Sequence, residues 1–182
     1  MKVAKWIAGT SVLSALTIVF DLSFWALKIK IPFPLFPTLK FDLDGIPIVL
    51  AWLIYGSYSA LITSIIAFLT ISFRSGAFIS AFMKALAEFA TATGLLIIQK
   101  TYKPSKPKKI AATFLGITIR CIVMTVANLI VFPAFYKKPF EATLALLPFI
   151  TIFNIIAGLI SLGGGFLIYN ALLKRLPETN FK

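Results

Sequence analysis

The strongest constraint on this chain is a succession of long apolar runs, separated by short stretches that hold most of its prolines and nearly all its lysines. A helix needs about 20 apolar residues to cross the hydrocarbon core of a bilayer. Runs near that length cover 6–27, 77–98, 110–132 and 146–173. A further apolar stretch is broken at Tyr55-Gly56-Ser57-Tyr58 and reads as two shorter helices, 46–56 and 58–72. The expected fold is an all-α integral membrane protein, one domain over 1–182 with six transmembrane helices. Composition agrees: 59% of residues are hydrophobic and 13% charged, against about 45–50% and about 25% in soluble domains. The loops leave no room for a soluble catalytic domain.

Several chemistries are excluded outright. The chain has no histidine, which removes imidazole metal ligation and histidine acid–base catalysis. Its single cysteine, Cys121, lies in an apolar run and reads as a small buried residue. No phosphate-binding Gly-x-x-x-x-Gly-Lys-Ser/Thr loop is present, so energy for active uptake must come from a partner or an ion gradient. The net charge of +12 gathers at the ends of apolar runs, not along one face, which argues for a membrane protein touching lipid and against nucleic acid.

The stretch 28–45, KIKIPFPLFPTLKFDLDG, carries Pro32, Pro34 and Pro37. Alternate prolines forbid a helix and favour extended backbone. Such backbone cannot face lipid, so this loop sits at the surface or dips into protein, and it is the best candidate lid. The stretch 99–109 holds five lysines and reads as a solvated basic loop near anionic lipid. Ten Lys/Arg residues fall on the side of the two termini and six on the other. The positive-inside rule then places both termini in the cytoplasm and the 28–45 loop outside, in a multi-pass cell-membrane protein. The first run, longer than a signal-peptide core and without a clear cleavage site, reads as a retained helix.

Polar groups at membrane depth are costly and mark function by default. Here they are Asp21, Lys84, Glu88, Arg120, Asn128 and Asn154. Helical rise puts Glu88 and Arg120 at similar depth, where they can pair across two helices as a structural ion pair. Lys84, Asn128 and Asn154 can converge on an outward-facing cavity beneath the 28–45 loop, suited to a small, flat, polar-edged ligand. The competing arrangement pairs Lys84 with Glu88 on its own helix. Asp42-Leu43-Asp44-Gly45 suggests the aspartates of membrane CDP-alcohol phosphotransferases, but the next acid is Glu88, too far on for that metal chemistry. Asp42 and Asp44 read instead as caps for the next helix. Ser11 with Ala15, and Ala4 with Ala8, form small-xxx-small pairs that let another helix approach closely.

Taken in order, these motifs resemble the substrate-binding S component of an energy-coupling factor (ECF) vitamin transporter, most closely the riboflavin branch. The resemblance rests on Leu13-Ser14-Ala15-Leu16, on Pro34-Leu35-Phe36-Pro37 through Lys40-Phe41-Asp42-Leu43-Asp44-Gly45-Ile46-Pro47, and on Met124-Thr125-Val126-Ala127-Asn128 through Pro133. It continues through Pro148-Phe149, Phe153-Asn154-Ile155-Ile156 and Tyr169 to Leu176. It implies an S-component-like bundle that is not an enzyme, carries no cofactor of its own, and binds a water-soluble vitamin, riboflavin favoured, under the outer lid. Leu35, Phe36, Lys40, Phe41, Asp42, Lys84, Glu88, Asn128 and Asn154 are then the ligand-binding set. The implied partners are a transmembrane coupling protein, docking at Ser11 and Ala15, and two ATPase subunits that alone use ATP. Ala157 stands where riboflavin-type members carry a lysine, and Lys84 to Phe89 departs from their fourth-helix pattern. The alternatives are an MreD-like scaffolding membrane protein and a self-sufficient secondary transporter, for whose ion relay only Glu88 and Asp21 are available.

Overall fold

A computed structural model describes residues 2–98, 101 and 103–175. Lys100 and Lys182 of the basic-side count, and Leu176 of the closing motif, lie outside the described residues. The chain forms α1 (Lys2–Ala26), a hairpin of β1 (Ile31–Phe33) and β2 (Phe36–Phe41), α2 (Gly45–Tyr55), α3 (Ser57–Ser75), and α4 (Phe78–Thr93) with a 3₁₀ extension, Gly94–Ile98. Two long helices follow, α5 (Lys106–Tyr136) and α6 (Phe140–Arg175).

Pairing between helices gives their directions. Trp6 Nε1 donates to the Tyr55 carbonyl at 3.2 Å, Thr10 and Ser59 share a hydrogen bond at 2.8 Å, and Ser14 and Thr63 share one at 3.3 Å. Farther along, Arg74 reaches Asp21. The constant sense of these pairs makes α1 and α3 parallel neighbours, joined by hydroxyls that an apolar-run reading passes over. The chain reverses at Gly76, whose φ of 67° is the left-handed conformation a glycine adopts freely. Next, α4 runs back beside α5, and α5 beside α6, each pair antiparallel. Lys2 and Arg175 therefore lie on one face of the bundle, with the hairpin on the other.

Among the described residues, five helices are long and apolar enough to cross a membrane. The sixth, α2, has 11 residues and spans about 16 Å, half of the roughly 30 Å core. Of the six α-helices expected and found, five have the length of a span. The break at Gly56 stands where the sequence placed it, at a φ of 91°, but it joins a short buried helix to a spanning one. Residues 45–52 are all buried, packed among α1, α3, α4 and α6, as befits a helix apolar on every side.

Other boundaries also move. Instead of stopping at 132, α5 continues through Pro133, and α6 begins at Phe140 instead of 146 and contains Pro148. Each proline deletes one N–H, a loss that spanning helices absorb. The basic loop is shorter than 99–109, because Lys106, Lys108 and Lys109 belong to the first turn of α5 and Pro107 sits at its start, where proline is tolerated.

The 28–45 loop is extended, as its prolines require, and folds into an antiparallel hairpin pairing Ile31 with Phe41 and Phe33 with Phe36. Its Phe41 stacks on Phe153 of α6 at 4.7 Å, while Phe33 packs against both rings at 5.8 Å. This aromatic cluster seats the hairpin over α6.

Candidate ligand-binding site

A cavity of about 550 Å³ lies between the hairpin and α4, α5 and α6. The hairpin side contributes Phe36, Lys40, Phe41 and Asp42, and α4 contributes Ser80, Met83, Lys84, Ala87 and Glu88. On α5, Arg120, Met124, Asn128 and Phe132 recur every four residues, so one helical face lines the wall. On α6, Ile150, Asn154, Ala157 and Ser161, three or four residues apart, form the facing wall with Phe153 beside them. Of the expected ligand-binding set, only Leu35 is absent from the lining; it sits at the hairpin turn, 56% exposed.

Charges alternate along the hairpin. Arg74 and Lys30 both bind Asp21, at 2.7 and 2.6 Å, and Lys30 also approaches Asp42 at 3.3 Å. Lys84 then bridges Asp42 and Asp44. Three cations and three carboxylates thus tie α1, α3 and α4 to the segment entering α2. One alternative is set aside here and one expectation corrected. Lys84 pairs with the hairpin aspartates, not with Glu88 on its own helix. Asp44 occupies the N-cap position of α2 without a side-chain capping bond: Lys84 engages its Oδ2, and its Oδ1 is buried without a hydrogen-bond partner among the described residues.

The cavity floor is a second network. Arg120 Nη1 donates to Glu88 Oε1 at 2.8 Å and to Thr91 Oγ1 at 2.9 Å, while its Nε donates to Asn154 Oδ1 at 2.9 Å. Ser161 donates to Glu88 Oε2 at 2.8 Å. Asn154 Nδ2 is held by the Ile150 carbonyl at 2.9 Å, and Asn128 Nδ2 by that of Met124 at 2.6 Å. Glu88 and Arg120 meet as their depths required, and Lys84, Asn128 and Asn154 line one cavity. A Cβ on Gly45 would strike the Glu88 carboxylate and the Ser161 hydroxyl, so glycine lets α2 start against this floor. Sequence reasoning left Arg120, Phe153, Ser80, Tyr136 and the two methionines out of the ligand set. The four-residue spacing from Arg120 through Phe132 was the available signal for α5.

Fold and cavity together give an apolar helical bundle enclosing a cavity with aromatic and thioether walls and fixed polar groups at its floor, the features common to small-molecule sites. The family model described as "ECF transporter, substrate-specific component" matches residues 5–169, and the chain belongs to that family. Among solved structures, the protein of "Structure and mechanism of the S component of a bacterial ECF transporter" is 25% identical. That alignment covers 94% of this chain and 96% of the other, at a TM-score of 0.76. Among curated proteins, no match was found. The family is a transporter's substrate-binding component, not an enzyme family, and membership sets aside the scaffold and self-sufficient transporter readings.

Proposed function

We propose that this S component captures riboflavin from the outer side of the membrane and delivers it inward through a coupling protein and two ATPase subunits. The cavity carries the reading. Arg120 and Asn128 lie two turns apart on one face of α5, a separation of about 12 Å, which suits an elongated fused-ring ligand better than a single small ring. Phe41, Phe153, Met83 and Met124 offer the faces such a ring packs on. Asp42, Lys84 and the hairpin backbone lie nearer the outer end, where the ribityl hydroxyls would sit.

Orientation follows from charge. Lys5, Lys103, Lys106, Lys108, Lys109, Lys174 and Arg175 crowd the face that holds both described ends, so that face is cytoplasmic under the positive-inside rule. Ser11 and Ala15 are exposed on α1, continuous with Ala4 and Ala8, while Thr10, Leu13, Ser14 and Thr17 are buried. The small-residue stripe leaves a shallow groove for the coupling protein. The purified protein, titrated against riboflavin, should quench flavin fluorescence saturably in the submicromolar range. Quenching that rises linearly without saturation would refute the assignment.

A further inference from the structure

A guanidinium carries five N–H donors. In Arg120 the Nε proton goes to Asn154 and the two Nη1 protons to Glu88 and Thr91. Nη2 has no acceptor among the described residues, yet it is not sealed off among the buried unsatisfied atoms. Arg120 is 3% exposed and lines the cavity, so the opening available to Nη2 is the cavity itself. Every neighbour that fixes the guanidinium is itself fixed: Glu88 by Ser161, Asn154 by the Ile150 carbonyl, and Thr91 by the Ala87 carbonyl at 2.8 Å. Packing alone does not demand such a group, since a buried ion pair is commonly replaceable by apolar residues without loss of stability. A rigid, half-satisfied donor pointing into a binding cavity is built to meet an acceptor.

We infer that Arg120 is a specificity-determining residue. Its Nη2 donates to a carbonyl on an imide or lactam edge, and the adjoining Glu88 carboxylate accepts that edge's N–H. This deepens the riboflavin reading and rests on it. The pyrimidine ring of the flavin presents carbonyl, N–H and carbonyl in sequence, which matches a donor set beside an acceptor. The tricycle then lies along α5 toward Asn128, with its imide edge at the floor. A ligand lacking such an edge leaves Nη2 without an acceptor and places no N–H on Glu88, and a site built for a hydrogen bond strongly rejects the analogue that cannot make it.

The test compares riboflavin with 3-methylriboflavin, which lacks the edge N–H, and 2-thioriboflavin, whose sulfur is a poor acceptor. Unaltered protein should bind riboflavin at least about tenfold more tightly than either analogue. The variant Arg120→Met/Glu88→Leu, which removes both charges together and leaves neither donor nor acceptor at those positions, should bind riboflavin more weakly and lose the preference to within about twofold. If that variant cannot be recovered folded, Arg120→Lys, which keeps the charge but not the planar fork, should lose the preference over 2-thioriboflavin while Glu88 still disfavours 3-methylriboflavin. Equal affinity of unaltered protein for all three flavins overturns the inference and leaves the riboflavin reading intact. A preference over 2-thioriboflavin that survives in either variant also overturns it. Unaltered protein that binds none of the three overturns both.

Discussion

Among single residues, Lys84 and Phe153 separate two kinds of contribution. Lys84 holds Asp42 and Asp44 against α4, so Lys84→Ala strands the buried carboxylate of Asp44 and leaves Asp42 with Lys30 alone. With Lys84 partly exposed, the loss should fall near the lower end of the range for a broken buried pair, about 3 kcal/mol. It should appear as a lower melting temperature in detergent and faster proteolysis within 28–45; an unchanged melt and cleavage pattern would remove Lys84 from this role. Phe153 stacks on Phe41, and Phe153→Ala should weaken riboflavin binding about tenfold through lost aromatic contact, measured by fluorescence titration. The buried acids and amides were legible in the sequence because polar groups at membrane depth are rare. Their pairing was less so. Glu88 with Arg120 follows from depth alone, whereas Lys84 with Asp42 and Asp44 depends on how far the hairpin descends, and no helical spacing encodes that.

The helices themselves are held by close approaches that hydropathy does not report. A Cβ on Gly116 would meet the Thr91 backbone carbonyl, and one on Gly94 would meet the Gly116 backbone, so α4 and its 3₁₀ extension lie directly on α5. Gly116→Val should cost about 1–3 kcal/mol by overpacking, read as a lower melting temperature with little change in flavin selectivity. Helix existence was legible because apolar length is a strong signal. The length of α2 was not, since a short apolar run reads alike as a buried core helix and as part of a span. The prolines of 28–45 announced extended backbone but not the hairpin register, which the Phe33–Phe41–Phe153 cluster fixes from outside the segment.

For the whole molecule, the cavity proposed for the ligand and the stripe proposed for docking are set apart. The cavity faces the hairpin side between α4, α5 and α6, while the stripe of Ala4, Ala8, Ser11 and Ala15 lies exposed on α1. Ala15→Trp should therefore leave riboflavin affinity unchanged in the isolated protein and abolish co-purification with the coupling protein and ATPases. Retained assembly would place docking elsewhere. The family was legible because its motifs recur in order along nearly the whole chain. The ligand was less so, because Ala157 and the Lys84–Phe89 stretch depart from the riboflavin-type pattern at positions that line or border the cavity. The most direct measurement is calorimetric titration of the purified protein with riboflavin, alongside thiamine, biotin, pantothenate, folate and pyridoxine. One saturable site per chain for riboflavin, with no heat from the other five, is the predicted result. Saturable binding of another vitamin with none for riboflavin would contradict it.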